Sequence, residues 1–325
     1  MLGGGDAKVR AARCKRRKAT ELDRTPPALA PGLYLVATPI GNARDITLRA
    51  LDVLATAGLL AAEDTRNTRK LLDIHGIRRP PGSLLAYHDH NGPQMRPRLL
   101  AALAEGQSVA LVSDAGTPLV ADPGFRLALE ARAAGHPVTA VPGASAPLAA
   151  LSIAGLPTDR FLFAGFLPPK SAARRGVLSD LAAVPATLVF FEAPRRLGAA
   201  LADMAAVLGP RAAAVCRELT KRFEEARRGS LADLAAQYAA EVARGEIVVV
   251  VGPPDAAAVA EEAEAGLDAA LSAALARASV KDAAAAVSVA LGLPRKRVYA
   301  RALDLARTAE RNGDGAGAGA GDEQV

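Results

Sequence analysis

The sequence has no tryptophan, and only 7 phenylalanines and 4 tyrosines in 325 residues. Its core must therefore be built from Ala, Val and Leu, and base stacking on aromatic platforms is not expected as the main mode of nucleic-acid contact. Cysteine is nearly missing. Cys14 and Cys216 stand far apart, with no metal or redox spacing, which suits a reducing cytoplasm. The longest run of Val, Ile and Leu is Ile247–Val251, far short of the ~20 residues a membrane span requires. No apolar segment follows the basic start, so no signal peptide is expected. A soluble, cytoplasmic protein with no membrane partner is the expectation.

Familiar chemical signatures are missing too. There is no P-loop, no nucleophile elbow and no zinc ligand set, so no metal is expected. No G-x-G-x-x-G follows a strand, which excludes the usual dinucleotide fingerprint. Histidine is limited to His75, His88, His90 and His136.

What is present is an Ala-rich chain with half its residues apolar and a net charge of +6. The length suits about two domains at roughly 150 residues each. The charge is uneven. Residues 1–24 carry +5 and residues 309–325 carry −3, leaving about +4 for the body. Only 8 of the 40 cations are Lys. Arg suits planar, bidentate contact with phosphate or carboxylate, although much of it also suits a solvated helix surface.

Residues 1–30 read as a disordered basic tail, with a variable start weighed above an RNA-contacting arm. From Gly32, short aliphatic strands alternate with helices, which argues for a parallel sheet covered on both faces. Strands are expected at Leu33–Ala37, Leu59–Ala62, Leu84–Tyr87, Ser108–Val112 and Val138–Val141. Between 161 and 251 the pattern changes. Two strands, about Ala213–Glu218 and Glu224–Arg228, follow one another without a helix, so a mixed sheet is expected. The expected division is an N-terminal α/β domain at 31–144, a C-terminal α/β domain at 145–254, a helical domain at 256–308 and a disordered tail at 309–325. Val280–Leu291 and Arg295–Leu305 have helix–turn–helix proportions. Arg295, Lys296, Arg297 and Arg301 on the second helix fit either a nucleic-acid contact or a plain helical hairpin.

Six loops fall at the carboxyl ends of expected strands: Thr38–Asn42, Glu63–Arg66, His88–Asn91, Asp114–Pro118, Pro142–Ser145 and Glu192–Arg196. Open α/β sheets bind ligands at that edge. The chain is organised around the fourth loop, in which a buried strand breaks at Ser113–Pro118 and a helix restarts near Asp122-Pro123-Gly124. Gly, Pro and Asp are ordinary turn residues, so each loop alone says little. Their recurrence at one edge points to a cleft.

Several strings in these loops resemble the bacterial small-subunit ribosomal RNA methyltransferase I family, within the tetrapyrrole-methylase-like superfamily. They are Thr38-Pro39-Ile40-Gly41-Asn42, Ala62-Glu63-Asp64-Thr65-Arg66, Tyr87-His88-Asp89-His90-Asn91, Ser113-Asp114-Ala115-Gly116-Thr117-Pro118 and Phe190-Phe191-Glu192-Ala193-Pro194-Arg195-Arg196. The resemblance covers about residues 33–252, and Val280–Leu305 is similar to that family's terminal helical domain. It implies a two-domain tetrapyrrole-methylase-like α/β fold and S-adenosylmethionine as methyl donor. It implies the ribose 2′-hydroxyl of a cytidine in the decoding region of small-subunit (16S) rRNA as acceptor, and usually a homodimer.

By position in these motifs, cofactor contacts fall to Pro39, Asp114, Gly116, Thr117, Pro118, Ala144 and Ser145. RNA contacts fall to Arg66, His88, Asn91, Arg195 and Arg196. Activating a hydroxyl calls for a base or a charge-stabilising group. Glu63, Asp64 and Glu192 are the leading candidates, with His88 and Asp89 also in reach, and a helix cap is the alternative role for Glu63 and Asp64. Two rival functions remain. One is a tetrapyrrole C-methyltransferase, which typically opens on a Gly-Pro-Gly-Asp type of loop rather than Thr38–Asn42. The other is a non-catalytic RNA-binding assembly factor, which would have no use for a full set of cofactor loops.

Overall fold

The computed structural model describes residues 28–88, 90–121 and 124–314. Most of the basic tail, Asp89, Asp122-Pro123 and the chain from 315 onward lie outside the described residues.

The first sheet has strands β1 (Gly32–Val36), β2 (Leu59–Ala62), β3 (Leu84–Ala86), β4 (Ser108–Val112) and β5 (Val138–Val141) in the order β3-β2-β4-β1-β5. All of its pairings are parallel, as the βα alternation predicts. Helices α1 (Leu48–Thr56), α2 (Thr65–Ile74), α3 (Gly92–Ala104) and α4 (Phe125–Ala133) make the crossovers. Along β4, Val109 and Leu111 enter one apolar cluster while Ala110 and Val112 enter the other. That alternation is the two-residue period of a strand covered on both faces. The Thr47 hydroxyl caps α1 by accepting from the Ala50 amide.

The second sheet has β6 (Phe161–Phe166), β7 (Thr187–Glu192), β8 (Ala212–Arg217), β9 (Glu225–Ser230) and β10 (Ile247–Val251) in the order β6-β7-β10-β8-β9. Only β6 and β7 run parallel; the other pairs are antiparallel. The expected mixed sheet is present, and β8 and β9 are indeed direct neighbours. Helices α5 (Ala146–Ala154), α6 (Ser171–Leu181), α7 (Leu197–Leu208) and α8 (Leu231–Ala240) complete this half. Ala150, Leu151 and Ala154 of α5 pack with Val189, Ala214 and Val248 of the second sheet. Ile40, from the loop after β1, inserts into the same cluster and ties the halves together.

Helices α9 (Ala256–Leu275), α10 (Val280–Leu291) and α11 (Arg295–Asp314) share a separate small core around Leu271, Ala284, Val298 and Ala302. The last helix runs past Leu305 to Asp314, so the first residues expected in the tail are helical. Ala306 to Asn312 contain no Gly or Pro, and nothing in their propensities stops a helix. Two of the four basic side chains on α11 pair with α9 at the surface: Arg297 with Glu264 at 2.8 Å and Arg301 with Asp268 at 2.5 Å.

Candidate functional site

A parallel sheet sends all its strand ends to one edge, so β1 to β5 bring five of the six expected loops together. The loop after β4 is locked to the loop after β1. The Thr38 amide donates to the Gly116 carbonyl at 2.9 Å, and the Gly116 amide returns to Thr38 at 3.0 Å. The Thr38 hydroxyl donates to the Ser113 carbonyl at 3.2 Å, and the Thr117 hydroxyl to the Ala144 carbonyl at 3.1 Å. Gly116 sits at φ +84°, a region that L side chains rarely adopt. Leu119 and Ala121 follow at φ +72° and +61° without being glycine. Such strain clusters at ligand sites.

Between the two sheets lies a cleft of about 390 Å³, within the usual range for a small-molecule site. The loops after β1, β4 and β5 contribute Ile40, Gly116, Thr117 and Ser145; the second sheet and its loops contribute Phe166, Phe191, Glu192, Leu219 and Ile247. Ser145 is the N-cap of α5 but makes no side-chain cap bond. Its hydroxyl and the first amides of the helix are therefore available to a ligand at the cleft.

A second cleft of about 280 Å³ adjoins the first and shares Ile40, Ala115 and Glu246 with it. Pro39, Thr68, Lys70, Ser113, Asp114 and Lys221 line it. The residues expected to contact cofactor are thus divided. Gly116, Thr117 and Ser145 line the first cleft; Pro39 and Asp114 line the second, each adjacent in sequence to a shared residue. Ala144 supports the first cleft through its carbonyl, and Pro118 is buried beside it.

The three expected carboxylates have different surroundings. Glu192 lines the first cleft with its side chain fully buried. It accepts from the Ala193 amide at 2.7 Å and pairs with the Arg196 guanidinium at 3.0 Å. Asp64 caps α2 by accepting from the Arg66 amide, and it also pairs with the Arg66 side chain at 2.7 Å. That side-chain bond, then the amide, holds the Asp64 carboxyl down to about 2. Its backbone amide donates to Asp114 at 3.0 Å, and Asn67 donates to the same carboxylate at 3.0 Å. Glu63 is half-buried in the loop after β2, its amide donating to Val112.

The expected RNA contacts divide similarly. Arg66 and Arg195 are exposed. Arg196 turns inward to Glu192 and to the Leu167 carbonyl. Asn91 braces its own turn, accepting from the His88 amide at 2.8 Å and donating to Ala86 at 2.9 Å. The Nδ1 atom of His88 is buried without a hydrogen-bond partner.

The sequence reading missed the β8–β9 connection. Gly41 packs so tightly on it that a Cβ there would lie 2.4 Å from Lys221 Cγ and 3.1 Å from the Leu219 carbonyl. The Thr220 hydroxyl accepts from the Asn42 amide at 3.0 Å. Lys221 bridges Glu218 at 2.9 Å and Glu246 at 3.1 Å. Burial pushes the Lys221 ammonium down, but its two carboxylate partners outweigh this and raise it. The only signal was the absence of a helix between β8 and β9. The positive φ of Glu218 (+52°) and Thr220 (+65°) has no mark in those residue types.

Residues 32–235 match the family of Tetrapyrrole (Corrin/Porphyrin) Methylases, and residues 255–306 match the RsmI C-terminal HTH domain. A protein of Mesorhizobium japonicum named Ribosomal RNA small subunit methyltransferase I is 53% identical over 298 residues, 91% of this chain and 98% of that one. Its namesake from Pseudomonas aeruginosa is 46% identical over 83% of this chain and 96% of its own. Among solved structures, diphthine synthase aligns with a TM-score of 0.54 at 19% identity, over 68% of this chain and 89% of that one. Cobalt precorrin-4 methyltransferase aligns at 0.51 and 19%, over 68% and 94%. At such identities these two structures speak for the fold alone.

Proposed function

This chain belongs to the tetrapyrrole methylase family, within the branch of the ribosomal RNA small subunit methyltransferases I, and we propose that it methylates the ribose 2′-hydroxyl of a cytidine in the decoding region of 16S rRNA, with S-adenosylmethionine as donor. The observation that carries the donor site is the cleft of about 390 Å³ between the two sheets, with Gly116 and Thr117 from one side and Leu219 and Ile247 from the other. RNA as acceptor is supported by the relatives' name at 53% identity across nearly the whole of the first relative.

The residues fit such a donor. Gly116 offers backbone with no Cβ in the way, and the start of α5 offers amides and the Ser145 hydroxyl to a carboxylate or ribose. Phe166, Phe191 and Ile247 give the apolar wall. Glu192, held by Ala193 and Arg196, is a fixed carboxyl group at the cleft. Bound there, the donor supplies an activated methyl group on a cationic sulfonium. Transfer would join the acceptor oxygen to the methyl carbon as the carbon–sulfur bond breaks, with the bonding pair leaving on a neutral thioether and the hydroxyl proton passing to a carboxylate in reach or to water. The protein's part is chiefly to align the hydroxyl with the methyl and exclude water. Asp64, engaged as a cap and ion pair, is a weak base for this step; Glu63 stands beside it in the same loop. Arg66 and Arg195, both exposed, are the better placed of the expected cations to meet phosphate.

A cytoplasmic homodimer fits this reading. No described helix is long and apolar enough to cross a membrane. Leu148 and Phe161, 53% and 45% exposed, line a groove beside the edge strand β6. Such an unpaired apolar edge suits a second copy.

The test supplies labelled S-adenosylmethionine with undermethylated small subunits in one reaction and a tetrapyrrole precursor in another. Label entering RNA is expected. Label on the macrocycle would move the chain to the tetrapyrrole branch, and label on neither would leave an RNA-binding factor.

A further inference from the structure

Two residues that line the second cleft carry buried hydroxyls that the fold leaves unsatisfied. Thr68 and Ser113 are 3% and 5% exposed, and neither side-chain oxygen has a hydrogen-bond partner. They come from different elements, Thr68 from α2 and Ser113 from the residue after β4, yet both line this cleft. A buried hydroxyl without a partner is costly, and native structures seldom keep one without use. The apolar replacements Val and Ala would fill either position without that cost. The rim adds charge: Lys70 is exposed with no partner among the described residues, while Lys221 is held by Glu218 and Glu246. Asn67 and Asp114, bonded to each other at 3.0 Å, complete a polar lining with both donors and acceptors. The cleft also opens onto the first through Ile40, Ala115 and Glu246.

We propose that this second cleft seats the acceptor nucleotide, with the Thr68 and Ser113 hydroxyls turning from their buried positions to hydrogen-bond its sugar or base and Lys70 meeting an adjacent phosphate. The assignment rests on reading the first cleft as the donor's. It explains why two clefts abut at the carboxyl edge of the first sheet: methyl transfer needs donor and hydroxyl in contact, in separately shaped sites. It also assigns Asp114 and Pro39 to the wall between the two ligands.

The test measures KM and kcat on undermethylated small subunits, together with calorimetric affinity for S-adenosylmethionine, for wild type, Thr68→Val, Ser113→Ala and the double variant. The expected result is KM for subunits raised at least tenfold in the double variant, with donor affinity within twofold of wild type and no fall in melting temperature. Lys70→Gln, on the exposed rim, is expected to raise the same KM and to flatten its dependence on salt. Unchanged KM in the folded single variants and in Lys70→Gln would mean that these groups hold only water, and overturns the proposal. Donor affinity falling in step with KM would assign the cleft to the donor and overturns it too. A wild-type protein that labels no RNA overturns the functional reading itself, and is distinguished by failing before any variant is compared.

Discussion

At the scale of single residues, charge pairing and backbone angle decide roles that residue type leaves open. Asp64 is the clearest case. Its carboxyl is lowered to about 2 by the Arg66 side chain and then by the Arg66 amide. A depressed carboxyl stabilises the fold above its unfolded value, near 3.9, and loses that contribution only as pH falls through the folded value. The contribution is therefore intact at neutral pH and lost in the window from about 4 down to 2. A carbon-detected NMR titration is expected to place the Asp64 midpoint near 2; a midpoint near 4 would dissolve the pair with Arg66. Gly116 makes the second case. At φ +84° its replacement by a β-branched residue is strained although space remains, since a Cβ would stand 3.5 Å from Ile40 Cγ2. Gly116→Val is expected to weaken S-adenosylmethionine binding at least tenfold, about 1.4 kcal/mol. Unchanged calorimetric affinity in the folded variant would remove this loop from the donor site.

At the scale of elements, the second half is braced by a buried ionic cluster. Arg174 of α6, 3% exposed, donates to Asp203 of α7 at 2.8 Å and reaches the Pro168 and Pro169 carbonyls. Ser171 donates to the same carboxylate at 2.9 Å. The cluster fixes the turn that follows Phe166 of the first cleft. Removing one partner leaves the other buried and uncompensated, so Asp203→Ala is expected to cost about 3–5 kcal/mol in denaturant unfolding. A loss under about 1 kcal/mol would show that Arg174 finds water instead. Much of the element plan was readable in the sequence. The short aliphatic runs at 59–62, 108–112 and 138–141 marked strands, because that signal is local. The bracing was not readable: the pairing of Arg174 with Asp203 exists only once α6 and α7 pack. Arg297 and Arg301 show the same limit in the helical domain, where their surface pairs with Glu264 and Asp268 of α9 arise only from the packing of the helices.

At the scale of the whole molecule, the strand-end loops mattered less singly than in how the second half meets them. Thr38–Asn42, Asp114–Pro118 and Pro142–Ser145 were legible as one edge because parallel strands force them together. The other wall was not, because Leu219, Lys221 and Glu246 reach the site from far along the chain, through Gly41 packing against the β8–β9 connection. That meeting divides the expected cofactor set between two adjoining clefts, and a two-substrate methyl transfer is the chemistry it suits. The most direct measurement asks where the methyl group lands. RNA from small subunits labelled by the wild-type protein is hydrolysed in alkali, which cuts every linkage except one whose 2′-oxygen is blocked. The label is expected in an alkali-resistant dinucleotide whose methylated member is cytidine; label in a mononucleotide, or none in RNA, would contradict the assignment.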